Sequence, residues 1–258
     1  MEDLNVALIQ STISWQDKEA SIRHYENLLV PGANLYVFPE MFNTGFSMET
    51  DLAEDMNGPS VKWLKEKATE FNAAMCASLI IEDDGFKNRM LFVFPEGNLD
   101  YYDKRHLFSM AGEHEHFQSG TNKKIVTFRG WNILLQVCYD LRFPVFSRNQ
   151  FIQNQWEYDL AIYIANWPSP RSNAWRNLIE ARAHENQCYV AAVNRVGKDG
   201  NNLNYLGDSA LINPKGHSLL HFNQGEEGCE FGSLSAKEMI EFREKFPVGR
   251  DADFFTLQ

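Results

Sequence analysis

Two stretches, WNILLQV at 131–137 and AIYIA at 161–165, are apolar at almost every position. A strand with one solvated face alternates apolar and polar residues, so strands apolar throughout need cover on both faces, usually by helices. The rest of the chain supplies that cover. LNVALIQ (4–10), the amphipathic DKEASIRHYENLL (17–29) and NLYVFPE (34–40) read as strand, helix and strand. NGPSVKWLKEKATEFN follows as a helix, with Pro59 suited to its first turn and Val61, Leu64 and Phe71 spaced for one apolar face. AMCASLII, MLFVF and LDYYD are further strands, the last two joined by PEGN, whose Gly97 and Asn98 suit a tight hairpin. The second half repeats the logic: IVTFRG and WNILLQVC, a helix from about Pro144, DLAIYIAN, a helix over 172–186 and YVAAVN. A GKDGNN turn, strands SALIN and SLLHF, the EFGSLS segment and a helix over 236–246 complete it. This alternation predicts an α/β sandwich. With no linker, low-complexity segment or repeat, a single domain over 1–258 is expected.

Charge narrows the function. The formal net charge is -11, with 35 Asp and Glu against 24 Lys and Arg, and no basic block occurs. Binding to phosphate backbones or to an anionic membrane surface depends on clustered basic residues, so neither nucleic acid nor membrane is an expected partner. No apolar run approaches the roughly 20 residues of a spanning helix, and MEDLNVALIQ has acid where an export signal needs basic residues. Cys76, Cys138, Cys188 and Cys229 are far apart and form no CxxC pair, which points to a reducing, cytoplasmic location.

Three strand ends carry groups able to do chemistry. NLYVFPE finishes in Glu40, LDYYDK in Lys104 and WNILLQVC in Cys138. Sites in α/β sheets gather at the carboxyl ends of strands. A thiol between a strand and a following helix lies near free amides and the positive end of that helix, which would lower its pKa. The alternative is a plain buried cysteine. His114-Glu115-His116 lacks the helical spacing of a zinc motif and reads as loop, so no metal site is expected.

The stretches VFPEMFNTGFSM, YDKRHLF and VCYDLRFP resemble the three catalytic motifs of the nitrilase superfamily, and the similarity extends through ANWPSPR, EARAHENQ and the REKFP tail. The resemblance implies a four-layer α-β-β-α sandwich. It implies Cys138 as nucleophile, Glu40 as general base, Lys104 as the cation beside the tetrahedral intermediate and Glu113 as a residue that orients Lys104 or assists proton transfer. It implies the Tyr139 N–H as a second oxyanion donor, a thioester intermediate, no metal or organic cofactor, and a homodimer formed through parts of 143–186. Tyr139 and Asp140 stand where true nitrilases tend to carry Trp and Glu. CYDLRFP with NWP and ENQCYV is most similar to the omega-amidases, which hydrolyse the terminal amide of short dicarboxylate monoamides such as 2-oxoglutaramate and succinamate. Arg142 is then a candidate for the substrate carboxylate, the alternative being a scaffold pair with Asp140 or another acid. Phe42, Phe46 and Trp167 are candidate pocket walls. Transfer of the thioester to an amine, or a binding protein that keeps the fold without turnover, are the competing functions.

Overall fold

The computed structural model describes residues 1–256. In chain order its elements are β1 (Leu4–Gln10), α1 (Lys18–Leu28), β2 (Leu35–Val37), α2 (Pro59–Phe71), β3 (Ala74–Glu82), β4 (Phe86–Val93) and β5 (Leu99–Asp103). Then come α3 (Glu113–His116), β6 (Ile125–Phe128), β7 (Trp131–Val137), α4 (Pro144–Ser147), β8 (Phe151–Ile152), β9 (Gln155–Trp156), β10 (Leu160–Ala165) and α5 (Ser172–Asn186). The chain ends with β11 (Tyr189–Asn194), β12 (Val196–Lys198), β13 (Asn204–Leu206), β14 (Ala210–Ile212), β15 (Ser218–His221), β16 (Gly228–Leu234) and α6 (Ala236–Lys245).

Two six-stranded sheets form, ordered β16-β1-β2-β3-β4-β5 and β15-β14-β11-β10-β7-β6. In the first, β1, β2 and β3 are parallel and β4 and β5 add as antiparallel hairpins. Strand β5 therefore runs in the direction of β2. In the second, β7, β10 and β11 are parallel, with antiparallel strands at both edges. The last strand of the chain, β16, pairs antiparallel with the first, placing Leu234 opposite Leu4.

Period-two patterning decides which face each side chain takes. In β1, Leu4, Val6 and Leu8 enter one core while Ala7 and Ile9 enter another. In β10, Leu160, Ile162 and Ile164 join the first of these and Ala161, Tyr163 and Ala165 a third. The shared core lies between the sheets. The second is closed by Tyr25 of α1 with Val61, Leu64 and Ala68 of α2, and the third by Trp175, Ile179 and Ala183 of α5. This is the expected four-layer α-β-β-α sandwich, and it accounts for strands that are apolar on both faces.

Local signals explain the helix boundaries. Asp17 caps α1 by accepting from Ala20 N at 2.9 Å, and Pro59 opens α2, which ends on Asn72 in the left-handed region. Two expectations are corrected. The helix expected from Pro144 is a single turn, preceded by a tight 3-10 turn over Cys138–Arg142. Phe143, placed before proline, takes ψ 77°, which keeps the two turns from fusing. Beyond α4 the chain makes the β8-β9 hairpin on Gln153 and Asn154, both at positive φ, instead of continuing as helix. His114-Glu115-His116, expected as loop, belongs instead to the single helical turn α3, while the GKDGNN turn is found as expected, at the tip of the β12-β13 hairpin.

Candidate active site

Four strand ends meet where the two sheets face each other. Strand β2 stops at Val37 and delivers Glu40; β5 stops at Asp103 and delivers Lys104; β7 delivers Cys138; and β10 delivers Asn166. Glu40, Lys104 and Glu113 are fully buried. The Lys104 ammonium lies 2.9 Å from Glu40 Oε1, and 3.0 and 2.9 Å from the two oxygens of Glu113. Asn88, from β4, donates through Nδ2 to Glu40 Oε1 at 2.8 Å and to Glu113 Oε1 at 3.1 Å. Glu113 Oε2 also accepts from Phe108 N at 2.5 Å, which fixes the intervening loop.

Asn166 connects the carboxylate to the sulfur. Its backbone N–H donates to Glu40 Oε2 at 2.9 Å, its side chain donates to Glu40 O at 2.5 Å, and its carbonyl lies 4.0 Å from Cys138 Sγ. The thiol and Glu40 Oε2 thus rest against the same residue. Cys138 is itself at φ +47°, a conformation that crowds Cβ against the backbone. Met41, directly after Glu40, has φ +44° and is held by its N–H to Ser78 Oγ at 2.8 Å. Strain of this kind persists only where neighbouring contacts over-determine it. At Cys138 the fixing contact comes from Asp140, whose Oδ2 accepts from Val137 N and from Tyr102 Oη, each at 2.9 Å.

Burial raises the Cys138 thiol well above its usual range, the charge of Glu40 raises it further, and Lys104 opposes both. This corrects the expectation of a thiol acidified by a following helix, because the turn after Cys138 is too short to carry a macrodipole and the carboxylates outweigh the ammonium. These influences favour the protonated thiol, next to a carboxylate that can accept its proton. Burial lowers the pKa of Lys104, but Glu113, Glu40 and Cys138 together hold it above the ordinary lysine range. Burial raises Glu113, against the pull of Lys104. An ammonium has three N–H bonds, and three carboxylate oxygens, one of Glu40 and two of Glu113, lie within hydrogen-bond distance of Nζ; the Phe46 ring lies 5.1 Å from Nζ.

Cys138 opens into a cavity of about 390 Å³ whose walls include Phe46, Tyr139, Arg142, Trp167 and Arg171. Of the residues singled out from sequence, Tyr139, Arg142, Trp167 and Phe46 line it, while Phe42 does not. Phe42 is fully buried behind β2, stacked on Trp63 at 5.9 Å and packed on Tyr25 and Phe38. Once β2 ends, the segment is irregular, and the turn at Met41 sends Phe42 into the helix-facing core. Arg142 does not pair with Asp140; its guanidinium lies 4.8 Å over the ring of Trp167. Asp140 is taken by Val137, Tyr102 and His106. Sequence reasoning missed Asn88 and Asn166, which hold Glu40, and the cavity residues Trp15, Arg171 and Tyr205. The strand-terminal position of Asn166 was a usable signal for one of them; the others come from loops or a strand interior.

The carbon-nitrogen hydrolase family model matches residues 5–244. The chain is 45% identical over 260 residues to the omega-amidase YafV of Escherichia coli strain K12, covering all of both chains. It is 29% identical over 254 residues to the 2-oxoglutaramate amidase of Bacillus subtilis, covering 95% of this chain and 96% of that protein. Among solved structures, a CN-hydrolase superfamily protein of Xanthomonas campestris with an arsenic adduct in its active site superposes with a TM-score of 0.97 at 43% identity, covering all of both chains. A sandwich whose facing strand ends unite a thiol, two carboxylates and an ammonium is thus matched along its whole length by relatives in sequence and in three dimensions, and the chain belongs to the carbon-nitrogen hydrolase family.

Proposed function

We propose that the protein is a thiol amidase that releases ammonia from the terminal carboxamide of small dicarboxylate monoamides of the 2-oxoglutaramate and succinamate type. The observation that carries this reading is the Lys104 ammonium at 2.9 Å from both Glu40 and Glu113, beside the Cys138 sulfur at the foot of a cavity. Glu40 takes the Cys138 proton as sulfur attacks the amide carbon. The resulting oxyanion is met by Lys104, which turns one N–H to it from a Glu113 oxygen, and by the Tyr139 N–H, which a helical turn leaves without an internal partner at its start. Glu40 returns the proton to the amine, ammonia leaves, and a thioester remains on Cys138. Water, deprotonated by Glu40, then releases the acid. Glu113 holds Lys104 in place through both carboxylate oxygens. Arg142 contacts the free carboxylate of the substrate. The substrate class is supported by the names of the full-length relatives and by an arginine in the cavity wall.

Ammonia release from succinamate, 2-oxoglutaramate, glutamine, asparagine and a simple nitrile, measured for the native protein and for Cys138→Ala, tests the reading. Turnover of the monoamides that disappears in the variant is expected; equal rates for both proteins would end it. Added hydroxylamine should trap the thioester as a hydroxamate. The same reading places the protein in the cytoplasm, in line with four free cysteines, and as a homodimer through parts of 143–186, where Val145 and Ile152 are exposed apolar residues. Sedimentation showing only a 29.8 kDa species would remove the dimer.

A further inference from the structure

Trp167 touches two arginines of the cavity wall, one through its guanidinium and the other through its backbone. Its ring lies under Arg142 at 4.8 Å, and its indole N–H donates to the carbonyl of Arg171 at 2.8 Å. Arg171 ends a 3-10 turn over Ser169–Arg171 that opens after Pro168, so its backbone is fixed on both sides. Its guanidinium lies 5.2 Å over the ring of Phe108, another cavity residue. Phe108 in turn packs edge-on against Tyr139 at 5.0 Å, next to the nucleophile. Among the described residues neither Arg142 nor Arg171 forms an ion pair, although most other arginines do or spend their donors on backbone carbonyls.

The acids in the wall do not neutralise this pair. Asp199 Oδ1 accepts from Asn201 N at 2.8 Å and Leu203 N at 2.9 Å, and its Oδ2 accepts from Tyr205 Oη at 2.8 Å. Glu49 is exposed at the rim. A half-buried guanidinium on an aromatic face, with its donor edge free toward a cavity, has the geometry for two parallel hydrogen bonds to a carboxylate. Desolvation makes such a group unfavourable when empty and selective when filled.

We propose that Arg171, acting with the Arg142 that stacks on Trp167, binds the substrate's free carboxylate and is the residue that selects amides bearing a terminal anion. This rests on the amidase reading above. Arg171 is the better anchored of the two, since Arg142 is exposed and held only by its stacking contact. The site would therefore take a chain short enough to reach from Cys138 to the Trp167 wall and would turn over a neutral amide of equal length less well.

The test compares succinamate with butyramide, its neutral counterpart of equal chain length, in the native protein, Arg171→Met and Arg171→Lys, alongside calorimetric binding of succinate to Cys138→Ala with and without Arg171→Met. The preference for succinamate should fall about tenfold or more in Arg171→Met, mainly through KM, and by less in Arg171→Lys. Succinate binding should weaken by a similar factor. An equal fall for both amides, or succinate binding that survives Arg171→Met, would overturn the proposal. If Arg171→Met does not fold, Arg171→Lys decides: a preference equal to the native one overturns it. If the native protein releases no ammonia from any amide, the amidase reading fails and succinate binding alone judges Arg171. If it turns over butyramide but Cys138→Ala binds no succinate, only the Arg171 assignment fails.

Discussion

The ring Nδ1 of His106 lies 2.7 Å from Asp140 Oδ1, and this contact joins the two halves of the site. His106 follows Lys104 by two positions, Asp140 follows Cys138 by two, and the carboxylate also takes His106 N at 3.1 Å and Tyr102 Oη at 2.9 Å. The imidazole is stacked on Phe143 with ring centroids 3.9 Å apart. The turn that presents the thiol is thereby bolted to the strand end that presents the ammonium.

Replacing Asp140 by Asn should therefore disturb both. Asn offers one acceptor oxygen and sets an NH₂ group against donors, leaving buried N–H and O–H groups unpaired at a cost of about 1–3 kcal/mol. Urea unfolding should report that loss, and kcat should fall by about tenfold or more while KM changes little, because the carboxylate does not line the cavity. Native kcat in Asp140→Asn would show that the turn holds its shape without this anchor.

Glu40→Gln should separate two properties that normally move together. Removing the charge withdraws the second-largest influence holding the thiol proton in place, so alkylation of Cys138 by iodoacetamide near neutral pH should become faster. Amide turnover should drop by about 10²–10⁴ because no group remains to accept and return the proton. A fall in both rates would contradict the account of the resting thiol.

At φ +47° the backbone of Cys138 suits glycine better than any L-residue. Cys138→Gly should thus be more stable than Cys138→Ala by about 1 kcal/mol, with both inactive. Urea midpoints measured side by side check this; a more stable alanine variant would mean that the turn relaxes once sulfur is gone.

Stability should also decline in alkali through thiols that take no part in the proposed chemistry. Burial raises Cys188 from 9.0 to about 12, and raises the fully buried Cys76 as well. A group with a raised native pKa contributes fully below its unfolded value. Its contribution is lost as pH climbs from about 9 toward 12, because the unfolded chain releases its proton first. Between about pH 8 and pH 10 the unfolding free energy of Cys188→Ala should therefore fall less steeply than that of the native protein. Parallel curves would assign the alkaline loss to other groups.

The layers were legible because Leu4, Val6 and Leu8 against Ala7 and Ile9 already divide one strand between two cores. Glu40, Lys104 and Cys138 were legible for a related reason: each stands at or just past the end of an expected strand, where sites in α/β sheets gather. Phe42 defeated that logic, whereas Phe46 lines the cavity as expected. Both lie in an irregular segment that turns at positive φ at Met41 and at Gly45, and no periodicity says which ring faces the core. Arg171 and Trp15 were invisible because loops carry them and no periodicity says where a loop side chain points. The acidity of the thiol was misjudged because it depends on how deeply Cys138 is buried and how close Glu40 comes, and these are properties of packing across two sheets.

That packing has a consequence for the chemistry. Glu40 and Lys104 belong to the sheet that is completed only by β16, whereas Cys138 and Asn166 belong to the other. The sulfhydryl and its proton acceptor therefore come together only where the two sheets pack face to face, and neither sheet by itself holds a complete catalytic set.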